Sequence, residues 1–435
     1  MGQRLSWGRY PPRPQTASAV AWPDDLPPLL VGRAPASTLP YGCGRSYGDS
    51  CLADSDHVIA MRGLDRWIDA DWNAGIIRAQ AGLTLSDVID VSLRRGWFPP
   101  VTPGTKFVTL GGAIANDVHG KNHHVQGTFG QHVVEFTLLR SDGRLLTCSP
   151  DENPDLFAAT IGGLGLTGII QTVTLRLRPV RSGLVAQRSI RFGNLHEFFE
   201  LSEEHDAAHE YTVAWVDCLA SGSRLGRGHY IMGDHSVRGP RRAAAPGRLS
   251  MPVDPPFSLI NRLSLRCFNS LYYHRQRKPD EKRIVGYDPF FYPLDKLLHW
   301  NRMYGRRGFQ QYQCVIPQAN AEPAIAEILK SIAASGMGSF LAVLKQCGSV
   351  QSPGLMSFPL HGASLALDFA QREPAISRLF ATLDKVVHEA GGRLYPAKDA
   401  HMSAAHFRAA YPAWQQVEAL RDPALMSQFW KRVAL

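Results

Sequence analysis

The chain has 435 residues, 44% of them apolar, so it is long enough for more than one folded core and too hydrophobic to be disordered throughout. Lys and Arg outnumber Asp and Glu by 47 to 38, and the net charge of +9 points to an anionic ligand or surface rather than to any fold. The seven cysteines are scattered with no CxxC pair, which argues against a zinc ribbon or a disulfide scaffold and for a reducing compartment.

Met1–Ser18 is polar and lacks the apolar run of a secretory signal, and no stretch approaches the roughly 20 apolar residues of a spanning helix. Gly2 to Ser6 fits the myristoylation pattern, for which a chance match is the better reading. Strands are predicted at His57–Met61 and Gly75–Ala81. Thr84 opens a helix with Leu85, Val88, Ile89 and Leu93 on one face and Gly96 closing it. Val133–Leu139 and Arg144–Cys148 flank Ser141-Asp142-Gly143 as a hairpin. A short helix at Asp155–Ile161 and a β-branched strand at Ile169–Leu177 follow. Beyond Pro179 the composition shifts, with strands at Tyr211–Asp217 and Gln311–Ile316 and a helix at Ala321–Ala334. His235–Arg283 is strongly basic, with Arg238, Arg241, Arg242 and Arg248 among scattered apolar residues, and reads as a long mobile loop plus a basic amphipathic segment. The tail from about residue 394 is helical and is expected to pack back on the first domain.

Two glycine-rich segments carry the chemistry. In Tyr41–Ser50, Gly42, Gly44 and Gly48 allow positive φ and leave no Cβ to block a ligand, so successive N–H groups can curl around a pyrophosphate. Its GxGxxxG spacing is one residue too long for the Rossmann fingerprint, and a surface turn with incidental glycines is an equal reading. The literal GxGxxG at Gly163–Gly168 precedes a strand rather than a helix, and context rejects it as a fingerprint. In Thr102–His124, Gly111 and Gly112 precede a short helix at Ala113–Val118, and His119, Lys121, His123 and His124 put polar and cationic groups at its end. A redox site, a solvated loop and, least favoured, a metal site are its three readings. Lys398 taken alone is a solvated charge, and Trp215 in a strand is more simply core.

The run VTPGTKFVTLGGAIANDVHGKNHHVQGTFGQHV, with YGCGRSYGDS, GGLGLTGII, FFYPLD, QYQ and GGRLYPAKD, closely resembles the decaprenylphosphoryl-β-D-ribose 2′-oxidase family, within the vanillyl-alcohol-oxidase flavoprotein superfamily. That family forms the flavoprotein half of the 2′-epimerase that makes the arabinose donor for cell-wall arabinan. The resemblance spans almost the whole chain. It implies an α+β fold of two domains: an FAD-binding domain from residues 1–184 and 393–435, with a substrate-binding domain of residues 185–392 inserted. The implied FAD site comprises Tyr41, Gly42, Cys43, Gly44, Arg45, Ser46, Tyr47 and Gly48, then Gly104, then Thr109, Leu110, Gly111 and Gly112, then Asn116, Asp117, Val118 and His119, with Gly165, Ile170 and Tyr395. Tyr47, Lys121, Trp215, Tyr292, Gln313, Lys345, Ser364 and Lys398 would meet substrate, with Lys398 and His119 catalytic and no metal. The chain departs from the family pattern Gly-Trp-Asn-x-Cys-x-Asp-Phe at Gly362–Phe369: Ser364 stands for the asparagine and Ala366 for the cysteine that covalent nitroaromatic inhibitors attack. That change puts the exact sugar in doubt.

The implied reaction is oxidation of a secondary sugar hydroxyl to a keto-sugar, with hydride passing to FAD bound non-covalently and a short-chain reductase as partner for the second half of an epimerisation. Expected partners are a polyprenyl-phosphate sugar or related polyol and a peripheral membrane contact, with no nucleic acid. The expected location is cytoplasmic or at the inner face of the cell membrane. Two alternatives stay open: a sugar-alcohol or aldonolactone oxidase that makes peroxide, and a non-catalytic flavin or lipid-phosphate binder.

Overall fold

The structure is a computed structural model, and it describes residues 4–242 and 249–435. Gly2 of the myristoylation pattern and Arg248 of the basic stretch lie outside the described residues. Near the N-terminus β1 (Thr16–Ala19), β2 (Pro40–Tyr41) and β3 (His57–Ala60) form a small parallel sheet in the order β1-β3-β2. Next come β4 (Trp67–Asp71), β5 (Ile76–Gln80), β6 (Val133–Leu139), β7 (Leu145–Cys148) and β8 (Ile169–Arg176). They make an antiparallel sheet ordered β4-β5-β8-β6-β7. Two helices bury their apolar sides on it: α1 (Leu85–Ser92), through Leu85 and Val88, and α2 (Leu110–Ala115), through Leu110, Ala113 and Ile114. Thr84 caps α1 in a reciprocal pairing with Asp87, and Gly96 closes the following turn at φ 86°. Thr109 caps α2, which therefore starts earlier than the run Ala113–Val118 read from the sequence.

The second layer is a wholly antiparallel sheet of eight strands: β9 (Leu184–Phe192), β10 (Tyr211–Val216), β11 (Gly228–His235), β12 (Asp280–Gly286), β13 (Phe309–Pro317), β14 (Val343–Cys347), β15 (Gly362–Ala370) and β16 (Arg393–Leu394). Their order is β12-β9-β11-β10-β14-β15-β13-β16. Side chains alternate between its faces. Ala214, Tyr230, Cys314, Leu344, Leu365 and Leu367 pack under three helices, Leu195–His205, Ala321–Ser335 and Ala375–Glu389. The neighbours Trp215, Ile231, Gln313, Lys345, Ser364 and Ala366 point the other way and wall a cavity. The mixed α+β architecture, a smaller antiparallel sheet with its helices beside a separate sheet-rich region, agrees with the sequence reading.

The basic amphipathic segment expected within His235–Arg283 is regular structure over most of residues 262–283, not loop. They hold a helix at Arg262–His274, started by an Asn261 cap, and most of edge strand β12. The tail is helical as expected and returns to the N-terminal region: Arg432 bonds Asp49 at 3.0 Å and Asp399 at 2.8 Å, and Leu425 bridges to Thr38. None of the helices among the described residues is long and apolar enough to cross a membrane.

Candidate active site

Between the two layers lies a cavity of about 400 Å³, within the size range of small-molecule sites. Both glycine segments reach it. Gly42, Cys43, Gly44, Arg45, Ser46 and Tyr47 line it from the first loop, and Gly104, Thr109, Gly111, Gly112, Asn116, Val118 and His119 from the second. The two segments interlock through missing side chains: a Cβ on Gly42 would fall 2.5 Å from Thr109 Oγ1, and one on Gly112 2.9 Å from the same oxygen. Gly104 has open space where its Cβ would be, and Gly165, at φ 76°, faces the cavity opposite. Arg45 lies 3.9 Å from the ring centroid of Trp7, yet its buried Nε has no hydrogen-bond partner. Glycine walls and a guanidinium with an unpaired Nε fit a dinucleotide that brings its own anionic groups.

Five expected site residues do not reach the cavity. The Tyr41 hydroxyl donates to the Leu5 carbonyl at 2.6 Å, behind the loop. Gly48 is glycine because a Cβ would collide with the Asp399 carbonyl of the returning tail. Leu110 is part of the sheet core. Asp117 holds the second loop together instead, accepting from Ser352 and Ser357 at 2.6 Å and from the Gly130 N–H at 2.9 Å. Tyr292 is fully buried, its hydroxyl 2.5 Å from Thr102 Oγ1. All the other expected residues line the cavity.

The sheet supplies its far wall in cross-strand rows. Trp215 pairs with Val343, Val343 with Ala366 and Ala366 with Gln313, while Lys345 pairs with Ser364 and Gln311 with Asp368. Trp215 settles as a wall residue, its indole N–H donating to the Phe340 carbonyl at 3.0 Å.

His119 stands at the centre. Lys345 Nζ is 2.5 Å from its Nδ1 and also donates to the Gly120 carbonyl at 2.5 Å. The Gln313 amide nitrogen is 3.2 Å from Nε2. Burial, then the positive charges of Lys345, His123 and Lys398, hold His119 well below its ordinary pKa, so it is neutral. With Lys345 protonated, Nδ1 is the accepting nitrogen and Nε2 carries the proton; a half-turn of the Gln313 carboxamide presents its oxygen to that proton. Tyr395 borders the same space, its hydroxyl donating to the Asn116 carbonyl at 2.7 Å.

Lys398 arrives from the tail. Segment 395–399 runs along the first loop, with Tyr47 N–H donating to Ala397 O at 3.0 Å and Asp49 N–H to Asp399 O at 3.3 Å. The Lys398 ammonium therefore sits 3.8 Å from the Tyr47 ring centroid. Burial lowers its pKa to about 7, Asp368 opposing and Arg45 assisting. Asp368 occupies the cavity face of β15 but is wholly covered; it accepts from Gln311 Nε2 at 2.7 Å through one oxygen, and the other has no partner. Burial raises its carboxyl to about 7.

Sequence reasoning missed Gln311, Asp368, Trp7, Cys51, Met61 and Asp295. Gln311 was findable, being two residues before Gln313 on one strand. Asp295 was findable too, as the last residue of the FFYPLD motif, whereas Trp7, Cys51 and Met61 carry no local signal and are brought in by tertiary packing alone.

Comparison with known proteins gives concordant findings. Residues 30–149 match the family described as FAD binding domain. Decaprenylphosphoryl-beta-D-ribose oxidase of Mycolicibacterium smegmatis is 33% identical over 437 residues, covering 96% of this chain and 94% of that protein. Putative D-arabinono-1,4-lactone oxidase of Neurospora crassa is 32% identical over 141 residues, 32% of this chain and 25% of its own. L-gulonolactone oxidase of Mus musculus is 32% identical over 140 residues, again 32% of this chain and 31% of its own.

Proposed function

This chain belongs to the vanillyl-alcohol-oxidase-type family of FAD-binding oxidoreductases that includes decaprenylphosphoryl-β-D-ribose oxidase, and from that premise we propose that it oxidises the 2′-hydroxyl of a polyprenylphosphoryl ribose to a ketone, the first half of an epimerisation. That it is an FAD-dependent enzyme acting on a sugar or alcohol hydroxyl follows from the family itself. The observation that carries the finer reading is the convergence of Lys398, His119, Gln313 and Lys345 on one cavity whose charged lining is Arg45, Lys121, Lys345 and Lys398 against a single carboxylate, Asp295. Such a lining suits a phosphorylated sugar better than a neutral polyol.

Residues Gly42–Tyr47, Gly104, Thr109, Gly111, Gly112, Asn116, Val118, His119, Gly165, Ile170 and Tyr395 would hold FAD, which when bound supplies a two-electron hydride acceptor. Lys398, with a pKa near 7, polarises the substrate hydroxyl when protonated and can take its proton when neutral. Neutral His119 keeps positive charge away from the carbon that gives up hydride, and Lys345 and Gln313 fix its ring. Gln313, Lys345 and Ser364 bind sugar oxygens, and Lys121 faces the substrate phosphate. The substrate loses one hydroxyl proton and one hydride, leaving the keto-sugar; a reductase would return hydride to the opposite face. The aldonolactone oxidases align with only about a third of the chain, which makes a peroxide-forming lactone oxidase the weaker reading.

The test is anaerobic flavin bleaching by a panel of polyprenylphosphoryl pentoses, free pentoses and aldonolactones. Rapid bleaching by the phosphorylated ribose, with the epimeric arabinose and the free sugars slow, is the expected result. Faster bleaching by a free lactone or polyol would reject the assignment.

A further inference from the structure

The helix Arg262–His274 is held to the protein by few residues. Leu265 is buried, and so is Asn269, whose amide donates to Asp217 at 2.9 Å. Its outer side is apolar. Leu263, Cys267 and Leu271 follow at four-residue spacing in one stripe, with Leu263 72% and Leu271 73% exposed, and Phe268 lies beside them. Just upstream, Phe257 and Leu259 are exposed as well. Isolated surface leucines are ordinary, but a stripe of them along one helix, rimmed by charge, marks a contact surface.

The charge is of one sign. From Pro255 to Pro279 the chain carries Arg262, Arg266, Arg275, Arg277 and Lys278 and no Asp or Glu. Asp254, just before it, is already engaged by Arg9 and Arg302. A second copy of this chain would bring the same cations against themselves. A nucleic acid would answer the arginines but not the exposed leucines. An anionic bilayer answers both.

The helix also leads inward. Phe268 stacks on Tyr272 with centroids 5.6 Å apart, and Tyr272 meets Trp215 at 4.5 Å. Tyr272 and Trp215 line the cavity, so an unbroken aromatic track joins the exposed stripe to the reaction space.

We propose that the helix Arg262–His274 is the face by which the protein docks on an anionic lipid bilayer, and that Phe268, Tyr272 and Trp215 form the ramp along which the tail of a lipid-linked substrate passes into the cavity. Leu263, Phe268 and Leu271 enter the interface while Arg262 and Arg266 meet headgroup phosphates. The ramp, though not the docking face, rests on the lipid-linked substrate reading given above.

The experiment is co-sedimentation of the FAD-loaded protein with phosphatidylcholine vesicles, with or without roughly a third phosphatidylglycerol. The protein should pellet with the anionic vesicles, less so at high salt, and stay in solution with the neutral ones. Replacing Arg262 and Arg266 by Ser should lower partitioning about 30-fold, from two charges at about 1 kcal/mol each. Leu263→Ser with Leu271→Ser should weaken binding in a way that salt does not restore. Phe268→Ser should slow flavin bleaching by a long-chain polyprenylphosphoryl ribose in vesicles and leave bleaching by a short-chain, water-soluble analogue unchanged. FAD content reports folding in every variant. Equal partitioning of wild type and variants, or none for wild type, overturns the docking face even if the short-chain analogue bleaches the flavin. A dimer that the leucine replacements dissolve, without vesicle binding, would assign the stripe to a second copy and overturn it too. Vesicle binding that tracks the helix while no lipid-linked pentose bleaches the flavin would overturn the ramp and the substrate reading and leave the docking face standing.

Discussion

Replacing Asp368 by Asn should move the pH dependence of flavin reduction to lower pH. Asp368 sits on the cavity face of its strand, hydrogen-bonded to Gln311, and its negative charge is what opposes the loss of the proton from buried Lys398. Among the described residues the two groups form no direct ion pair, so the coupling is a through-space charge effect. Two unit charges that are close but not in contact, in an effective dielectric of ~20, interact by on the order of 1–2 kcal/mol, or roughly 1 pH unit. The sign follows from which form is lost: without the carboxylate the ammonium of Lys398 is less stable, and its pKa falls from about 7. Any limb of the profile that reports Lys398 therefore shifts toward acid. If protonated Lys398 polarises the hydroxyl, the alkaline limb shifts and the rate at neutral pH drops; if neutral Lys398 takes the proton, the acid limb shifts and the rate at neutral pH rises. Stopped-flow bleaching across pH 5 to 9, with saturating substrate and the FAD spectrum as a folding control, separates these cases. A profile unmoved by the substitution in a protein that retains FAD would refute the coupling. Because the wild-type carboxyl itself titrates near 7, its own protonation should broaden the wild-type limb and not that of the variant.

Lys398→Ala should retain FAD and lose flavin reduction by at least about 100-fold, the scale on which one positioned charge stabilises a developing oxyanion; an unchanged bleaching rate would remove Lys398 from the chemistry. The FAD should be dissociable, since no histidine lies in Tyr41–Ser50 and burial raises the pKa of Cys43, leaving its thiol un-ionised; acid precipitation that leaves yellow colour on the pellet would contradict this. Gly48→Ala should lower the melting temperature of the FAD-loaded protein by several degrees, because the added methyl collides with the backbone at Asp399; an unshifted melt would show that the loop and tail can part without cost.

Legibility of the sequence followed the range of the interactions. The helix after Thr84 could be read because its cap, its apolar spacing and its closing glycine all lie within a dozen residues. The hairpin at Val133–Cys148 is equally local. The second sheet was harder, because both its faces are covered and alternation marks only which side chains share a face, not which face meets a ligand: Leu344 and Lys345 are both buried, one under helices and one in the cavity wall. Lys398 illustrates the limit. Nothing near it in sequence distinguishes it from a solvated charge, and its environment exists only because the tail lies along the first glycine loop, 350 residues earlier. Its candidacy came from resemblance. Gly48 failed in the opposite way: of the loop's Gly42, Gly44 and Gly48 only Gly44 takes the positive φ expected of all three, and the close approach Gly48 permits is to the chain's own backbone rather than to a ligand. Tyr292 failed because an aromatic hydroxyl that finds a partner, here Thr102, can be buried completely. At Arg262–His274 the amphipathic character was legible but the bounds were not, although the Asn261 cap and the four-residue apolar spacing were both present.

The cavity's electrostatics tie these parts together. Burial lowers Lys121 to about 7, assisted by Lys345, and no carboxylate offsets either effect. Lys345 is itself depressed by burial. Lys121 donates to the Phe290 carbonyl, and Lys345 donates to the Gly120 carbonyl and to His119. Carbonyl oxygens satisfy ammonium protons but do not cancel their charge, so this end of the cavity keeps a positive potential that a neutral polyol would leave standing and a phosphate would relieve. Arg45, from the first glycine segment, has Asp295 as a charge neighbour, yet its Nε remains unpaired. Two deficits of negative charge thus border the cavity. One is at Arg45 in the first glycine segment, the other at Lys121 and at the sheet residue Lys345, which bonds the neutral His119. A protein that bound only a flavin would need the first deficit and would gain nothing from the second, which is why the pattern favours an enzyme of phosphorylated sugars over a flavin carrier.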